Sequence, residues 1–367
     1  MKVPYVDLIT QHAPLKKEIL DAISGVLDSG QLILGEQVRR FEEEFANLCG
    51  CKYAVGVNSG TDALVLSLRA LGIGPGDEVI TAPNSFVATA SAIALVGARP
   101  VFVDVRPDMN IDPDQVEHAI TPRTRALLPV HLTGKPADMH PLSQIANRHD
   151  LTIVEDAAQA VFAGYHGRRV GSLGTAGCFS LHPLKTLNAC GDGGVVTTSD
   201  EILYQRLLLL RNLGLQTRDN CVVWSGNSRL DEIQAAILLV KLKYLLDWTR
   251  RRQANAAYYS EYLSGIPGLT LPIHDSREEP VFHTFIIRTG RRDDLRDHLA
   301  RNGVGSAVHY PIPIHLQDVA RELGYKAGDF PEAERQASRI LSLPVHHSLR
   351  QDQLEHVVSV IREFFDS

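Results

Sequence analysis

The chain has 367 residues, of which 44% are hydrophobic and 22% charged, and its formal net charge is −6. This length predicts more than one domain, and the composition is that of an ordinary soluble protein. The negative net charge offers no attraction for nucleic acid or an anionic membrane. No window approaches the ~18 apolar residues of a membrane span. The first residues lack the apolar core of a signal peptide, so we expect a cytoplasmic protein.

The five cysteines include one close pair, Cys49 and Cys51. An odd number in a chain of this size argues against a disulfide scaffold, and one C-x-C without a second cluster is weak evidence for a metal site. We therefore predict free thiols in a reducing compartment and no bound metal.

The first half of the chain alternates between two kinds of segment. Apolar residues recur at helical spacing near the start, and from residue 52 onward apolar runs typical of strands alternate with helical segments. The predicted strands are 52–58, 77–83, 99–105, 124–132, 151–157, 176–182 and 193–199, and the predicted helices are 14–30, 35–50, 59–72, 85–97, 112–120, 139–149, 200–214 and a long one at 230–263.

These strands are nearly continuous apolar runs, which indicates burial on both faces. The pattern predicts an α/β fold, with a large domain at residues 1–248 whose mostly parallel central sheet is flanked by helices. A strand at 281–290, a helix at 292–303, a strand at 306–311 and a helix at 349–365 then predict a smaller C-terminal α+β domain at 249–367.

The first candidate site is Ser59-Gly60-Thr61, between a predicted strand and helix. Free backbone N–H groups, the helix dipole and two hydroxyls form an anion site at such a helix start. The segment is neither a Walker motif nor a dinucleotide glycine fingerprint. Taken alone, it is also compatible with an ordinary helix start.

Three further features carry candidate chemistry. Asp156 follows a buried strand at the sheet edge where ligands bind, with Gln159 three residues on, and a carboxylate there needs a cationic partner. Lys185 and Ser180 precede a glycine-rich turn that lets backbone approach a ligand. Asn227 and Arg229 stand just before the long helix, and alone they are typical of a capping loop.

Together these residues predict pyridoxal 5′-phosphate (PLP) as the cofactor. PLP requires a lysine for its Schiff base, an acid opposite its pyridine nitrogen and an anion site for its phosphate. Lys185, Asp156 and the 59–61 segment with Ser180 supply these three parts.

The sequence resembles the DegT/DnrJ/EryC1/StrS family of sugar aminotransferases, which have the fold type I of PLP-dependent transferases. The matching motifs, in family order, are SGTDAL, PNSFVATASA, PVFVDV, VEDAAQA, FSLHPLKTLNACGDGG, NSRLDEIQAA and HYPIPIHLQ. They cover nearly the whole chain. Two departures, Thr133 and the absence of an aromatic residue after the glycine of GNSR, concern the substrate side.

The resemblance implies a role for each matching residue. Lys185 would hold the cofactor as a Schiff base, Asp156 would pair with its ring nitrogen, and Gln159 would lie near its ring hydroxyl. The other implied cofactor contacts are Ser59, Gly60, Thr61 and Ser180 at the phosphate, Phe86 stacked on the ring, and Asn227 reaching the phosphate from the second subunit of a homodimer with shared active sites. His309, Tyr310 and Arg229 would face the substrate, and we expect His182 to make a structural hydrogen bond.

The implied reaction moves an amino group from L-glutamate to a keto-sugar. The sequence Gly191-Asp192-Gly193-Gly194 is more typical of family members that act on nucleotide-linked 3-oxo sugars. A 4-oxo nucleotide sugar, a non-nucleotide keto-sugar and a keto-cyclitol stay open as alternatives. Lys185 disfavours the dehydratase branch, in which histidine replaces this lysine.

Two other classes of protein are disfavoured. A nicotinamide-dependent oxidoreductase would need a glycine fingerprint after its first strand, and this fingerprint is missing. A non-catalytic regulator would have no need of the lysine, the aspartate and the phosphate-binding residues that the chain retains.

Overall fold

The computed structural model of the protein describes residues 1–366. Its helices are α1 (Leu8–His12), α2 (Lys16–Ser29), α3 (Glu36–Cys49), α4 (Gly60–Ala70), α5 (Val87–Leu95), α6 (Pro113–Val116), α7 (Met139–Arg148), α8 (Glu201–Arg211), α9 (Glu232–Leu242), α10 (Leu245–Tyr262), α11 (Arg292–Arg301), α12 (Pro331–Ala337) and α13 (Gln351–Asp366). Within residues 1–366, no helix is both long and apolar enough to cross a membrane.

The strands are β1 (Tyr53–Val57), β2 (Glu78–Thr81), β3 (Arg99–Phe102), β4 (Thr124–Leu127), β5 (Thr152–Asp156), β6 (Gly164–Tyr165), β7 (Arg168–Arg169), β8 (Ala176–Ser180), β9 (Gly194–Thr198), β10 (Leu215–Thr217), β11 (Asn220–Cys221), β12 (Leu269–Thr270), β13 (Glu278–Glu279), β14 (Phe285–Thr289) and β15 (Ile340–Leu343). Seven of them form the central sheet in the order β1-β9-β8-β5-β4-β2-β3. Neighbouring strands from β8 to β3 are parallel, and β9 runs antiparallel to both β1 and β8.

The sheet is covered on both faces, which explains the continuous apolar runs of its strands. In β1, for example, Ala54 packs with Phe41 and Phe45 of α3, whereas the next residue, Val55, packs with α4 and α8 on the opposite face. Successive strand residues point to opposite faces, so both faces need apolar side chains. The predicted α/β fold with a mostly parallel, helix-flanked sheet is confirmed.

The C-terminal part has its own antiparallel sheet of β12, β14 and β15, packed against α10, α11 and α13. Strand β15 was not predicted from the sequence. The start of the chain joins this core: Val3 is fully buried there and bridges to Val304. The division at residues 248 and 249 stays a prediction.

Three predicted elements are wrong in their extent. The long helix over 230–263 is interrupted at Lys243–Tyr244, although the sequence contains no glycine or proline there. The Tyr244 hydroxyl donates to Glu18 of α2 at 3.0 Å, and Trp248 of α10 packs beside α2 and α9. The break between α9 and α10 therefore lies where both helices pack against α2.

The second correction concerns the predicted strand at 306–311. Only Ala307 makes a bridge, with Ser342 of β15. Pro311 and Pro313 follow closely, and proline lacks the N–H that a ladder requires. The predicted helix at 112–120 is also shorter, because α6 ends at Val116 and a 3-10 turn continues over Glu117–Ala119.

Candidate active site

Most of the predicted site residues line one cavity of about 460 Å³ at the carboxyl ends of the parallel strands. They come from the end of β5 and the segment after it, the end of β8 and the turn after it, the starts of α4 and α5, and the loop that follows α11. The predicted residues in its wall are Ser59, Gly60, Thr61, Phe86, Asp156, Gln159, Ser180, Lys185, His309 and Tyr310. Residues far apart in sequence thus meet in one place.

The start of α4 forms one end of this cavity. Ser59 is the N-cap, and its hydroxyl accepts a hydrogen bond from the Asp62 N–H at 3.1 Å. A Cβ on Gly60 would lie 2.6 Å from the Cβ of Ser180, so only glycine lets the helix start approach the end of β8 this closely. The unpaired N–H groups of the first helical turn and the Ser180 hydroxyl consequently share one anion-binding corner.

Asp156, at the end of β5, is 4% exposed and has no basic side chain within ion-pair distance among the described residues. Its Oδ2 accepts from the Thr89 hydroxyl at 2.7 Å and its Oδ1 from the Ala158 N–H at 3.2 Å. Burial raises the pKa of Asp156, and these hydrogen bonds oppose that rise. A cationic group next to the Asp156 carboxylate would balance its buried negative charge.

Sequence reasoning missed two buried hydroxyls behind Asp156. Ser85 and Thr89 lie 2.8 Å apart, and because Thr89 gives its only hydroxyl hydrogen to Asp156, Ser85 must donate to Thr89. Their four-residue spacing at the start of a helix is a signal that could have placed them on one face.

Lys185 lies in the wall of the same cavity, in a tight turn after β8. Its N–H donates to the His182 carbonyl at 2.8 Å, and Asn188 Nδ2 donates to its carbonyl at 2.9 Å. Burial lowers the pKa of the Lys185 ammonium to about 8, against the opposing effect of Asp156. A lysine of this kind is partly neutral near neutral pH and can act as a nucleophile or base.

Tyr310 contacts both Phe86 and Gln159 in the cavity wall. The Phe86 ring lies 5.5 Å from the Tyr310 ring, between centroids, and is half exposed to the cavity. Gln159 Oε1 accepts from the Thr133 N–H at 2.7 Å, and its Nε2 donates to the Tyr310 hydroxyl at 3.4 Å. Gln159 is therefore held between the loop at Thr133 and the loop at Tyr310.

The cavity also contains histidines that stay neutral. Burial lowers the pKa of His309 to about 4, and burial lowers the pKa of His283 well below its usual value. His309 Nδ1 lies 2.9 Å from the Ser342 hydroxyl. His182, on the rim, accepts the Leu184 N–H at 3.3 Å through Nδ1, a local hydrogen bond of the kind expected for it.

Asn227 and Arg229 lie outside this cavity within the chain. Asn227 is exposed, and its backbone bridges to Asn212. Arg229 donates to the side chain of Asn212 at 3.0 Å. Neither residue can therefore contact a cofactor or substrate in the cavity of its own chain. A contact of Asn227 with the cofactor of a second subunit stays a prediction.

A lysine, a buried carboxylate and an anion-binding helix start around one cavity are features of a PLP-dependent transferase, and comparison with known proteins decides the family. The model of the DegT/DnrJ/EryC1/StrS aminotransferase family matches residues 14–362. The chain belongs to this family. The predicted family membership and aminotransferase class are confirmed.

Two curated members of the DegT/DnrJ/EryC1/StrS family are similar over nearly their whole length. The dTDP-3-amino-3,4,6-trideoxy-alpha-D-glucose transaminase of Streptomyces venezuelae is 47% identical over 364 residues, covering 99% of this chain and 96% of the relative. The UDP-N-acetyl-3-dehydro-alpha-D-glucosamine 3-aminotransferase of Acidithiobacillus ferrooxidans is 46% identical over 364 residues, covering 98% and 97%.

Among solved structures, the crystal structure of S. venezuelae DesV in complex with a ketimine intermediate superimposes with a TM-score of 0.98. It is 47% identical in sequence, and the match covers 100% of this chain and 99% of that one. The family fold is therefore present throughout residues 1–366.

Proposed function

We propose that this protein transfers the amino group of L-glutamate to a keto-sugar, with PLP as its cofactor and a nucleotide-linked 3-oxo sugar as the acceptor. The observation that carries the proposal is the meeting of Lys185, Asp156 and the start of α4 around one cavity. A partly neutral lysine that shares one cavity with a buried carboxylate and an anion site suits amine chemistry on a phosphate-bearing carbonyl cofactor.

The described residues fit PLP on structural grounds. Asp156 is a buried carboxylate without a cationic partner, which a protonated pyridine nitrogen would supply. The first turn of α4 with Thr61 and Ser180 would hold the phosphate, and Phe86 would cover the ring. The bound cofactor would supply an electron sink that stabilises negative charge at the carbon losing a proton.

The chain's own residues would then divide the work. Asp156, held by Thr89, would face a protonated ring nitrogen and stabilise its positive charge. Lys185 Nζ accepts and returns a proton, and its lowered pKa keeps both of its protonation states available near neutral pH. Gln159 and Tyr310 fix each other's position in the cavity wall through their hydrogen bond. His309, whose lowered pKa keeps it neutral, offers a hydrogen bond without adding a charge.

The proposed acceptor follows from two kinds of support. Both curated relatives act, by their names, on nucleotide-linked sugars aminated at carbon 3. Asp192, the acidic residue of the Gly191–Gly194 turn, lies in the cavity wall, where it can contact a sugar hydroxyl. A nucleotide-linked 3-oxo sugar is therefore the first acceptor to test, before 4-oxo sugars and keto-cyclitols.

We also propose a homodimer in which each cavity receives Asn227 from the other subunit. Apolar side chains are exposed next to this residue, and Trp224, the most exposed of them, is 89% exposed. Val222 and Val223 are exposed beside it. Such a patch is typical of a surface that another chain covers.

The test has two stages. The protein is first loaded with PLP, reduced with borohydride and digested, and the pyridoxyl group is expected on Lys185 by mass spectrometry. Loading that leaves no label on Lys185 would contradict the cofactor assignment. The loaded protein is then given glutamate and a panel of dTDP- and UDP-linked 3-oxo and 4-oxo sugars, and mass spectrometry should detect amination of a 3-oxo sugar. Amination restricted to 4-oxo sugars or cyclitols would replace the acceptor but keep the reaction.

A further inference from the structure

Arg252 of α10 is a buried arginine in the cavity wall that none of the roles above uses. Its side chain lines the same cavity as Lys185, and the residue is only 7% exposed. Arginine is rarely buried unless it is paired, because removing its charge from water is costly. The position of Arg252 therefore needs a compensating group.

Among residues 1–366, Arg252 donates hydrogen bonds only to backbone carbonyls. Nη1 donates to the carbonyls of Phe282 and His283 at 3.2 and 3.4 Å. Nε is sealed from solvent without a partner, Nη2 makes no hydrogen bond, and no carboxylate of the described residues lies within ion-pair distance. The two carbonyls fix the plane of the guanidinium while its charge stays unmatched.

The surroundings of Arg252 do not neutralise it. Burial, helped by the Arg252 charge, lowers the pKa of His346 to about 4 and that of His347 to about 3. Burial and the charges of Lys185 and Arg252 also hold His283 neutral. Burial lowers the pKa of Arg252 to about 10, so it stays protonated at neutral pH. This end of the cavity therefore carries a positive charge that no neighbouring group among the described residues balances.

We propose that Arg252 is the receptor for a carboxylate of the amino donor. This inference rests on the proposed function, because an amino acid must enter the cavity to deliver its amine near Lys185. The phosphate of the cofactor has its own corner at the start of α4, so a second anion is left for Arg252. A planar carboxylate with a single negative charge matches one oriented guanidinium in shape and in charge.

The experiment measures binding of glutarate, a dicarboxylate that has no amine and cannot react, to the PLP-loaded enzyme by calorimetry. The variants are Arg252→Gln, which removes the charge, and Arg252→Lys, which keeps the charge but loses the planar fork. The matched control is Arg251→Gln, since Arg251 is the exposed neighbour that pairs with Asp247 on the surface of α10. All proteins are compared at equal cofactor occupancy, confirmed by absorbance.

Loss of one charge-assisted contact is expected to raise the dissociation constant of glutarate roughly tenfold to a hundredfold in Arg252→Gln, less in Arg252→Lys, and not in Arg251→Gln. The glutamate concentration that half-saturates conversion of the loaded enzyme should rise in parallel. Wild-type glutarate affinity in Arg252→Gln would overturn the proposal. If that variant does not fold, unchanged affinity in Arg252→Lys would overturn it in the same way.

A second titration separates carboxylate from phosphate. Wild-type enzyme should bind glutarate with PLP present, and inorganic phosphate should not compete with it. Competition by phosphate at equal concentration would assign Arg252 to the nucleotide diphosphate instead and overturn the carboxylate role. Failure of the proposed function looks different, because an enzyme that neither holds PLP on Lys185 nor reacts with glutamate would fail before Arg252 is tested.

Discussion

Thr89, in the first turn of α5, donates its hydroxyl hydrogen to Asp156 at the end of β5 across 2.7 Å, although the two residues are 67 positions apart. Both side chains are buried, and Ser85 donates to Thr89 behind them. The carboxylate that faces the cavity is thus oriented by a short chain of hydroxyls. Thr89 is a positioning residue for Asp156.

Replacing Thr89 by valine keeps the shape of the side chain but removes the donor. The pKa of Asp156 should rise further, because a hydrogen bond that opposes the effect of burial is lost. We expect the dissociation constant of PLP to increase roughly tenfold. An absorbance titration measures it. Thr81→Val is the control, since Thr81 is an equally buried threonine that donates to the Leu128 carbonyl; equal PLP affinities in the two variants would contradict the positioning role.

Lys185 should destabilise the cofactor-free protein in a pH-dependent manner. Its folded pKa of about 8 lies below the ordinary 10.5, so the unfolded chain binds the proton more tightly, and stability rises as the pH rises from 8 towards 10.5. The difference corresponds to about 3 kcal/mol. Lys185→Met should therefore be more stable than wild type by about this amount at pH 7, and about equal to it above pH 10.5.

Urea unfolding of the cofactor-free proteins at both pH values measures this effect. Lys243→Met is the control, because Lys243 is an exposed lysine paired with Glu18. A stability gain in Lys185→Met that is the same at both pH values would show that packing rather than the buried charge is responsible.

The proposed sharing of active sites predicts complementation between two inactive variants. Lys185→Ala removes the lysine of one site, and Asn227→Asp places a carboxylate against the phosphate in the site of the partner. A mixed dimer would contain one site with both native residues. After unfolding and refolding an equal mixture, about a quarter of wild-type activity should return, since half of the dimers are mixed and each has one intact site.

Each variant refolded alone provides the baseline for this experiment. Activity of the mixture no higher than the mean of the two baselines would place Asn227 in its own chain's site or outside the site altogether.

Glu155 should matter for stability rather than chemistry. It is fully buried, and its carboxylate accepts the N–H groups of Gly171, Leu173 and Gly174 at 2.7–2.8 Å and faces His131 Nε2 at 3.0 Å. An amide nitrogen cannot accept these hydrogen bonds. We expect Glu155→Gln to lower the free energy of unfolding by roughly 2–4 kcal/mol.

Urea denaturation compares this variant with Glu279→Gln, in which an exposed glutamate that pairs with Arg169 is changed. The control should lose less than about 1 kcal/mol. Equal losses in the two variants would contradict the importance of the buried network.

The order and type of most central elements could be predicted from the sequence, because burial on both faces imposes apolar runs on each strand of the large sheet. The helix break at Tyr244 could not, since it accompanies contacts with Glu18 more than 200 residues earlier in the chain. Nor could the irregular path after Ala307 be read from a short apolar run. Periodicity reports which side of an element is buried but not which partner buries it.

The sequence by itself determined the chemical groups of the candidate site: Lys185 before a glycine-rich turn, Asp156 after a buried strand, and a Ser-Gly-Thr helix start. These are local patterns, because each depends on its immediate neighbours in the chain. Only the tertiary structure decided that Thr89 orients Asp156 and that Arg252, with its charge unmatched, lines the cavity. Their roles depend on distances between segments that the fold brings together, and no local pattern encodes such distances.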